Sequence, residues 1–395
     1  MALRDAANLA PHSAHEKSSG DLAVDGGGVS VGPRGAHGDT MGRLTGLRIV
    51  DCTLFLPGPM LTMMLADQGA EVIKVEPPGG DPARAMGPFA DGVSVWFANL
   101  NRGKTSVRLD LKDDAGRAAL WDLLSDADVF VEGFRPGAMA RLGFGAEAVR
   151  TRFPRLVYAS VSAFGQDGPL SDHAAHDLGV QALGGFLSVN DGGDGVPVVP
   201  GVPSADMAAG LTGLSAILMA LWARERSGVG DTLDISMLGS LLPWSAHIAG
   251  AALLGGDAPR STGQRSLGGA AFYNVYACAD GKHIVLAGRE AKFVANLLTA
   301  LDRPDLIPLG DAPPGEAQAP LRAFLAETFL TRRRDDWTNW FANRDIAFAP
   351  VLDFAEALAA PGVAGLVDRS TALPHIVPAI RFDDDAPWVP GVSPP

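Results

Sequence analysis

The first ordered pattern in the chain is the apolar run Leu47-Arg48-Ile49-Val50-Asp51-Cys52, which predicts a buried strand. Phe55 to Pro59 is dense in proline and glycine and predicts a turn. Met60 to Gln68 then carries apolar residues at helical spacing, Gly69 closes the helix, and Glu71 to Val75 is a second strand. A strand–helix–strand unit of about 30 residues predicts a parallel, doubly wound α/β sheet. The rhythm continues with a helix over Ala115–Ser125 and strands at Val129–Val131 and Leu156–Val161. A long helix is expected over Met207–Glu225, followed by Asp231–Met237, whose alternation suits an exposed-edge strand. Past Gly269 the pattern changes. Phe272–Ala277 and His283–Leu286 predict a hairpin and Ala291–Leu301 a helix, together a smaller α+β domain. Residues 1–42 are rich in Gly, Ser, Ala, Asp and His without apolar periodicity, and are expected to be a disordered extension.

Composition narrows the class. At 395 residues, 47% of them apolar, the chain has material for more than one buried core. The charge, 32 − 45 = −13, argues against nucleic acid, so an anionic ligand needs a local basic cluster. Cys52 and Cys278 stand far apart and are expected to be reduced thiols, which fits a cytoplasmic protein. No histidine pair has metal-ligand spacing, so no metal site is expected. The apolar stretch Leu211–Ala223 is shorter than the roughly 20 residues a bilayer demands, and the N-terminus lacks the apolar core of a secretory signal. No membrane partner is expected.

Several segments carry possible chemistry. Asn101-Arg102-Gly103-Lys104-Thr105-Ser106 offers two cations, a glycine and two hydroxyls, as a phosphate cradle or as a solvated turn. It lacks Walker spacing, and the turn at Gly58 lacks the G-x-G-x-x-G of dinucleotide binding. Phe134, Arg135 and Arg141 surround a tight turn that suits an adenine, a pyrophosphate or plain solvent. His176 and Asp177 are a candidate acid–base pair, and Asp177 equally a helix cap. Asp206 opens the long helix, whose dipole favours an ionised carboxylate nucleophile, or an ordinary cap. The loop Gln264–Gly269 is either a linker or a segment that closes over a site.

Read in order, LADQGAEVIKVE (residues 65–76), NRGKTSVRLDL (101–111), Glu132 to Gly143, Gly165 to Pro169, the Asp206 segment and SGVGDTLDISML (227–238) resemble the family III CoA-transferases. That group contains formyl-CoA and carnitine CoA-transferase, and alpha-methylacyl-CoA racemase is its relative. The resemblance covers about residues 43–382. It implies a Rossmann-like large domain (43–235 with 346–395), a linker and small domain (236–345), and an interlocked homodimer. By position, Asp206 is similar to the Asp that forms covalent intermediates. Leu109, Asp110, Leu111, Lys112, Phe134, Arg135 and Arg141 resemble coenzyme-contacting segments, and Leu56-Pro57-Gly58 the turn lining the acyl end; Asn101, Arg102 and Lys104 join the coenzyme-binding candidates through the phosphate-cradle reading. Gly268 and Gly269 are candidates to supply backbone N–H groups to oxyanions.

The implied reaction moves coenzyme A from an acyl-CoA donor to a carboxylic acid, with no permanently bound cofactor. The racemase alternative draws on Ala175-His176-Asp177 and the loop Gly268–Tyr273, and assigns proton transfer to Asp177 and His176. A third possibility is a catalytically silent coenzyme-binding member. Leu56 replaces a polar residue of formyl-CoA transferase, which disfavours formate and oxalate. The tail Ala386-Pro387-Trp388-Val389-Pro390-Gly391 departs from the family's expected Gly-Glu-His-Thr segment and final helix.

Overall fold

The computed structural model describes residues 42–192, 194–370, 373–380 and 382. The expected extension up to residue 41 and the tail segment Ala386–Gly391 lie outside them. Six strands make one sheet: β1 (Arg48–Cys52), β2 (Glu71–Glu76), β3 (Lys104–Arg108), β4 (Val129–Glu132), β5 (Val157–Ser162) and β6 (Thr232–Ser236). Their order is β3-β2-β1-β4-β5-β6, every pairing parallel. That is the doubly wound arrangement, with β6 at one edge as its alternation predicted.

Helices α1 (Pro57–Ala66) and the long Ser204–Ser227 cover one face, sharing a core with Ile49, Val72, Val131 and Ala159. Asp114–Ser125 and Ala146–Arg152 cover the other, against Val50, Ile73, Val75 and Phe130. Burial on both faces explains why β1, β2, β4 and β5 read as near-continuous apolar runs instead of alternating ones.

Two expectations change. α1 begins at Pro57, three residues before the predicted start, because Pro57 and Pro59 fit a first turn whose N–H groups have no helical partner. Residues 104–106, read as part of a phosphate loop, open strand β3; the edge position tolerates the polar Lys104, Thr105 and Ser106.

The long helix spans 24 residues, more than the stretch judged from composition, and passes a length-and-hydropathy criterion for a membrane span. It is a core helix here. One face packs on the sheet, and its buried Arg224 pairs with Asp128 at 3.1 Å.

A third core has its own antiparallel sheet, β7 (Tyr273–Ala277), β8 (His283–Ala287) and β9 (Phe348–Pro350), in the order β9-β8-β7. Phe272, Leu297, Leu325, Phe329, Trp337 and Phe341 fill it. β9, from Phe348 to Pro350, joins this sheet through its antiparallel pairing with β8.

Candidate functional site

The strand order reverses between β1 and β4, and in open parallel sheets ligands bind outside the carboxyl ends at such a switch point. Two loops meet there, Thr53–Leu56 after β1 and Gly133–Gly137 after β4.

The first loop rests on buried charge. Lys74 Nζ donates to the Thr53 carbonyl at 2.8 Å and pairs with Asp81 at 3.0 Å. Asp51 accepts from the Thr53 N–H (2.9 Å) and hydroxyl (2.5 Å), the Thr62 hydroxyl (2.6 Å) and Lys104 Nζ (3.1 Å). The side chains of Asp51, Lys74, Asp81 and Lys104 are fully buried. Burial opposes ionisation of Asp51, but Lys104, Lys74 and the two hydroxyls prevail and hold it far below the usual carboxylate range. Burial pulls Lys104 down to about 8 even with Asp51 beside it. A β-carbon on Gly58 would lie 2.3 Å from Thr53 Cβ, so glycine lets α1 start this close to β1. Between these anchors Phe55 sits at φ 63°, a conformation a large side chain adopts only when its surroundings enforce it.

Asn101, Arg102 and Lys104 do not form an open cradle. Asn101 ends the helix Val95–Asn101 and bonds the Phe97 carbonyl (3.0 Å) and Lys104 (2.9 Å). Arg102 forks onto Asp67 at 2.9 and 2.6 Å, and Lys104 is the internal counter-ion of Asp51. The remaining coenzyme candidates do gather at the carboxyl edge. Leu109, Asp110, Leu111 and Lys112 follow β3, with Lys112 exposed and its N–H on Asp110 Oδ1 at 2.9 Å. Phe134 is half-buried, its N–H on Glu132 at 2.8 Å; burial raises the Glu132 pKa, against hydrogen bonds from Ser160 and Phe134. Arg135 on the same loop and Arg141 at the end of the short helix Ala138–Arg141 that follows it are exposed and make no side-chain hydrogen bond or ion pair among the described residues.

Asp206 lies in the first turn of the long helix. Gly210 and Gly213 let that helix approach α1, since added β-carbons would sit 3.0 Å from Met60 Cε and 2.2 Å from Leu61 Cδ1. Residues i, i+4 and i+7 share a helix face, so Asp206 shares the face of Gly210 and Gly213, which pack against α1. Asp177 begins the helix Asp177–Leu183, yet its carboxylate caps the long helix, accepting from the N–H of Ala205 (2.7 Å) and Asp206 (3.2 Å) and from Gln181 Nε2 (2.6 Å). His176 meets the Phe55 ring edge-on, centroids 6.1 Å apart.

The expectation that the dipole keeps Asp206 readily ionised is reversed. Asp177 occupies the end of the helix, and burial together with the Asp177 charge raises the Asp206 pKa to about 7.

Gly268 and Gly269 sit elsewhere. They adjoin a cavity of about 700 Å³ bordered by Asp191, Ser261, Gly268, Asn274 and Arg322, and none of Asp206, Asp177 or the arginines of the β4 loop lines it. The Gly269 N–H is bonded to the Gln264 carbonyl at 3.0 Å, which removes it as an oxyanion donor within this chain. Sequence reasoning passed over Asp51, Lys74 and Asp81. The available signal was charge inside apolar strands, in Ile-Val-Asp-Cys and Val-Ile-Lys-Val.

A Rossmann-order sheet with open cations at its switch point and a half-buried carboxylate of raised pKa defines a class: an α/β protein for an anionic, nucleotide-like ligand. The CoA-transferase family III model matches residues 44–368, and the chain belongs to that family. It is 36% identical to the acetyl-CoA:oxalate CoA-transferase of Acetobacter aceti, over 82% of this chain and 84% of that one. It is 32% identical to the human succinyl-CoA:glutarate CoA-transferase, over 81% and 74%. Human alpha-methylacyl-CoA racemase is 34% identical over 80% and 79%. A solved CAIB/BAIF family protein from Brucella suis superposes with a TM-score of 0.76 at 29% identity, over 90% and 96%.

Proposed function

We propose that this chain moves coenzyme A from an acyl-CoA donor to a carboxylic acid through covalent intermediates on Asp206. The observation that carries the reading is the half-buried Asp206 carboxylate in the first turn of the long helix, one turn before the glycines that pack against α1, with its pKa raised by burial and by Asp177.

An oxygen of ionised Asp206 attacks the donor thioester carbonyl, the C–S bond breaks, and a mixed anhydride and coenzyme A thiolate form. The thiolate attacks the aspartyl carbonyl of the anhydride, releasing the donor acid and leaving an aspartyl-CoA thioester. The acceptor carboxylate attacks that thioester and expels the thiolate. The thiolate then attacks the acceptor carbonyl of the new anhydride, yielding acceptor-CoA and free Asp206. Each step exchanges one activated acyl bond for another, so the scheme calls for no permanently bound cofactor.

Leu109–Lys112, Phe134, Arg135 and Arg141 hold the coenzyme along the carboxyl edge in this scheme. Asn101, Arg102 and Lys104 act beneath it, fixing β3 and the β1 loop. Phe55 and Leu56 give the acyl end an apolar wall. Both Asp177 oxygens accept hydrogen bonds, which argues against Asp177 as a racemase base and for transfer.

The two-domain homodimer remains part of the proposal. Leu211, Leu218 and Trp222 form an exposed apolar stripe on the long helix, flanked by Met219, and a second copy of the chain would cover it. Gly268 and its neighbours would then meet the site of the partner subunit. Buried, unbridged Cys52 and Cys278 fit a cytoplasmic location.

Hydroxylamine trapping tests the mechanism. Incubation with acyl-CoA should yield a hydroxamate at Asp206, seen as a mass change on its peptide, and Asp206→Ala should abolish both label and turnover. Full activity in Asp206→Ala would refute the scheme; α-deuterium exchange without acyl transfer would favour the racemase.

A further inference from the structure

β2 and β3 end side by side at the carboxyl edge, with Glu76 in register with Arg108. In sheets of this order an acidic residue near the end of β2 commonly receives ribose hydroxyls. Here it is already engaged. Glu76 accepts from Arg84 at 2.7 and 2.6 Å and from the Asp81 N–H at 2.7 Å, and Arg84 lies over the Phe97 ring at 3.8 Å. With Glu76 occupied, the exposed Arg108 makes no side-chain hydrogen bond or ion pair among the described residues.

The ground beside Arg108 is formed by two glycines, with the Arg84–Glu76 pair at its edge. A β-carbon at Gly79 would meet nothing within 4 Å, and one at Gly80 (φ 82°) would stand 3.3 Å from Arg84 Cδ, 3.5 Å from Glu76 Oε2 and 3.8 Å from Arg108 Nη2. Three strand spacings, about 14 Å, separate the end of β3 from that of β4, where Arg135 and Arg141 are open. Coenzyme A carries two separate anionic groups, a pyrophosphate and a ribose-linked phosphate monoester. A monoester dianion offers three acceptor oxygens to a guanidinium, and a shelf of two glycines gives it room.

We infer that Arg108, over the Gly79–Gly80 shelf, is a specificity-determining contact for the ribose phosphate of the coenzyme, leaving Arg135 and Arg141 to the pyrophosphate. The inference rests on the CoA-transfer reading and adds a residue outside the segments expected to bind.

The test compares an acyl-CoA with its 3′-dephospho form on the full chain and on Arg108→Gln, a surface change that leaves the cores intact. Arg108→Gln should raise KM for acyl-CoA about tenfold or more, with kcat unchanged. KM for the dephospho form should be the same in both proteins, and Arg108→Lys should restore part of the difference. Equal losses on both thioesters, or none on either, would overturn the role of Arg108. Equal use of both thioesters by the wild-type chain would overturn it too, with CoA transfer intact. Turnover of neither, together with a blank hydroxylamine assay, would remove the underlying reading and the inference with it.

Discussion

Asp177 Oδ1 accepts the backbone N–H of both Ala205 (2.7 Å) and Asp206 (3.2 Å), so one carboxylate caps the helix that carries the other. The cap takes the favourable field of the helix N-terminus for itself and sets a negative charge beside Asp206. Asp206 is thereby a more basic carboxylate than an exposed aspartate, and a less ionised one at neutral pH.

Transferase turnover should therefore rise with pH through about 7, as Asp206 loses its proton. Asp177→Asn, which removes the charge but keeps an acceptor oxygen, should move that limb to lower pH. A kcat–pH profile checks both statements, and an unmoved midpoint would mean that the two carboxylates are not coupled.

The same shift has a stability consequence. The folded pKa of Asp206 is raised above the ordinary 3.8, so its contribution to stability is complete below that value and is lost as pH rises through about 7. Asp206→Asn should thus raise Tm relative to wild type more at pH 8 than at pH 4, measured by thermal melts at the two values.

Beneath the β1 loop, Lys74 is enclosed with Asp51 and Asp81. Lys74→Met should cost about 3–5 kcal/mol in urea unfolding, because it strands Asp81 as a buried, uncompensated charge. It should also loosen Thr53 and raise KM for the acyl donor, whereas a surface lysine such as Lys292 should show neither effect.

Gly58→Ala should destabilise the protein by about 1–3 kcal/mol and depress turnover, since the new methyl collides with the Thr53 side chain, itself held by Asp51. Denaturant titration and steady-state kinetics measure the two losses.

Trp222 and Met219 are 70% and 65% exposed in the isolated chain. If a second copy covers this face, Trp222→Glu should shift the protein from dimer to monomer in light scattering. An unchanged mass would place any dimer contact elsewhere.

How much of this was legible in advance depended on whether the determining interactions were local. The apolar runs of β1, β2, β4 and β5 and the long helix were readable because burial on both faces leaves an unambiguous hydrophobic signature. Asp206 was readable as the residue opening that helix, and Arg135 and Arg141 as a basic cluster. Lys104 was misread: a lysine beside glycine, threonine and serine looks the same in a phosphate loop as in an edge strand. The carboxylate it serves, Asp51, is 53 residues away.

Sequence by itself determined the α/β class, the succession of elements and the carboxylate at the head of the long helix, because periodicity and capping chemistry act over a few residues. Tertiary structure alone decided which cations stay open, that Asp177 caps a helix 28 residues further along, and that Asp206 holds its proton near neutrality. Those properties follow from burial and from charges brought together by the fold.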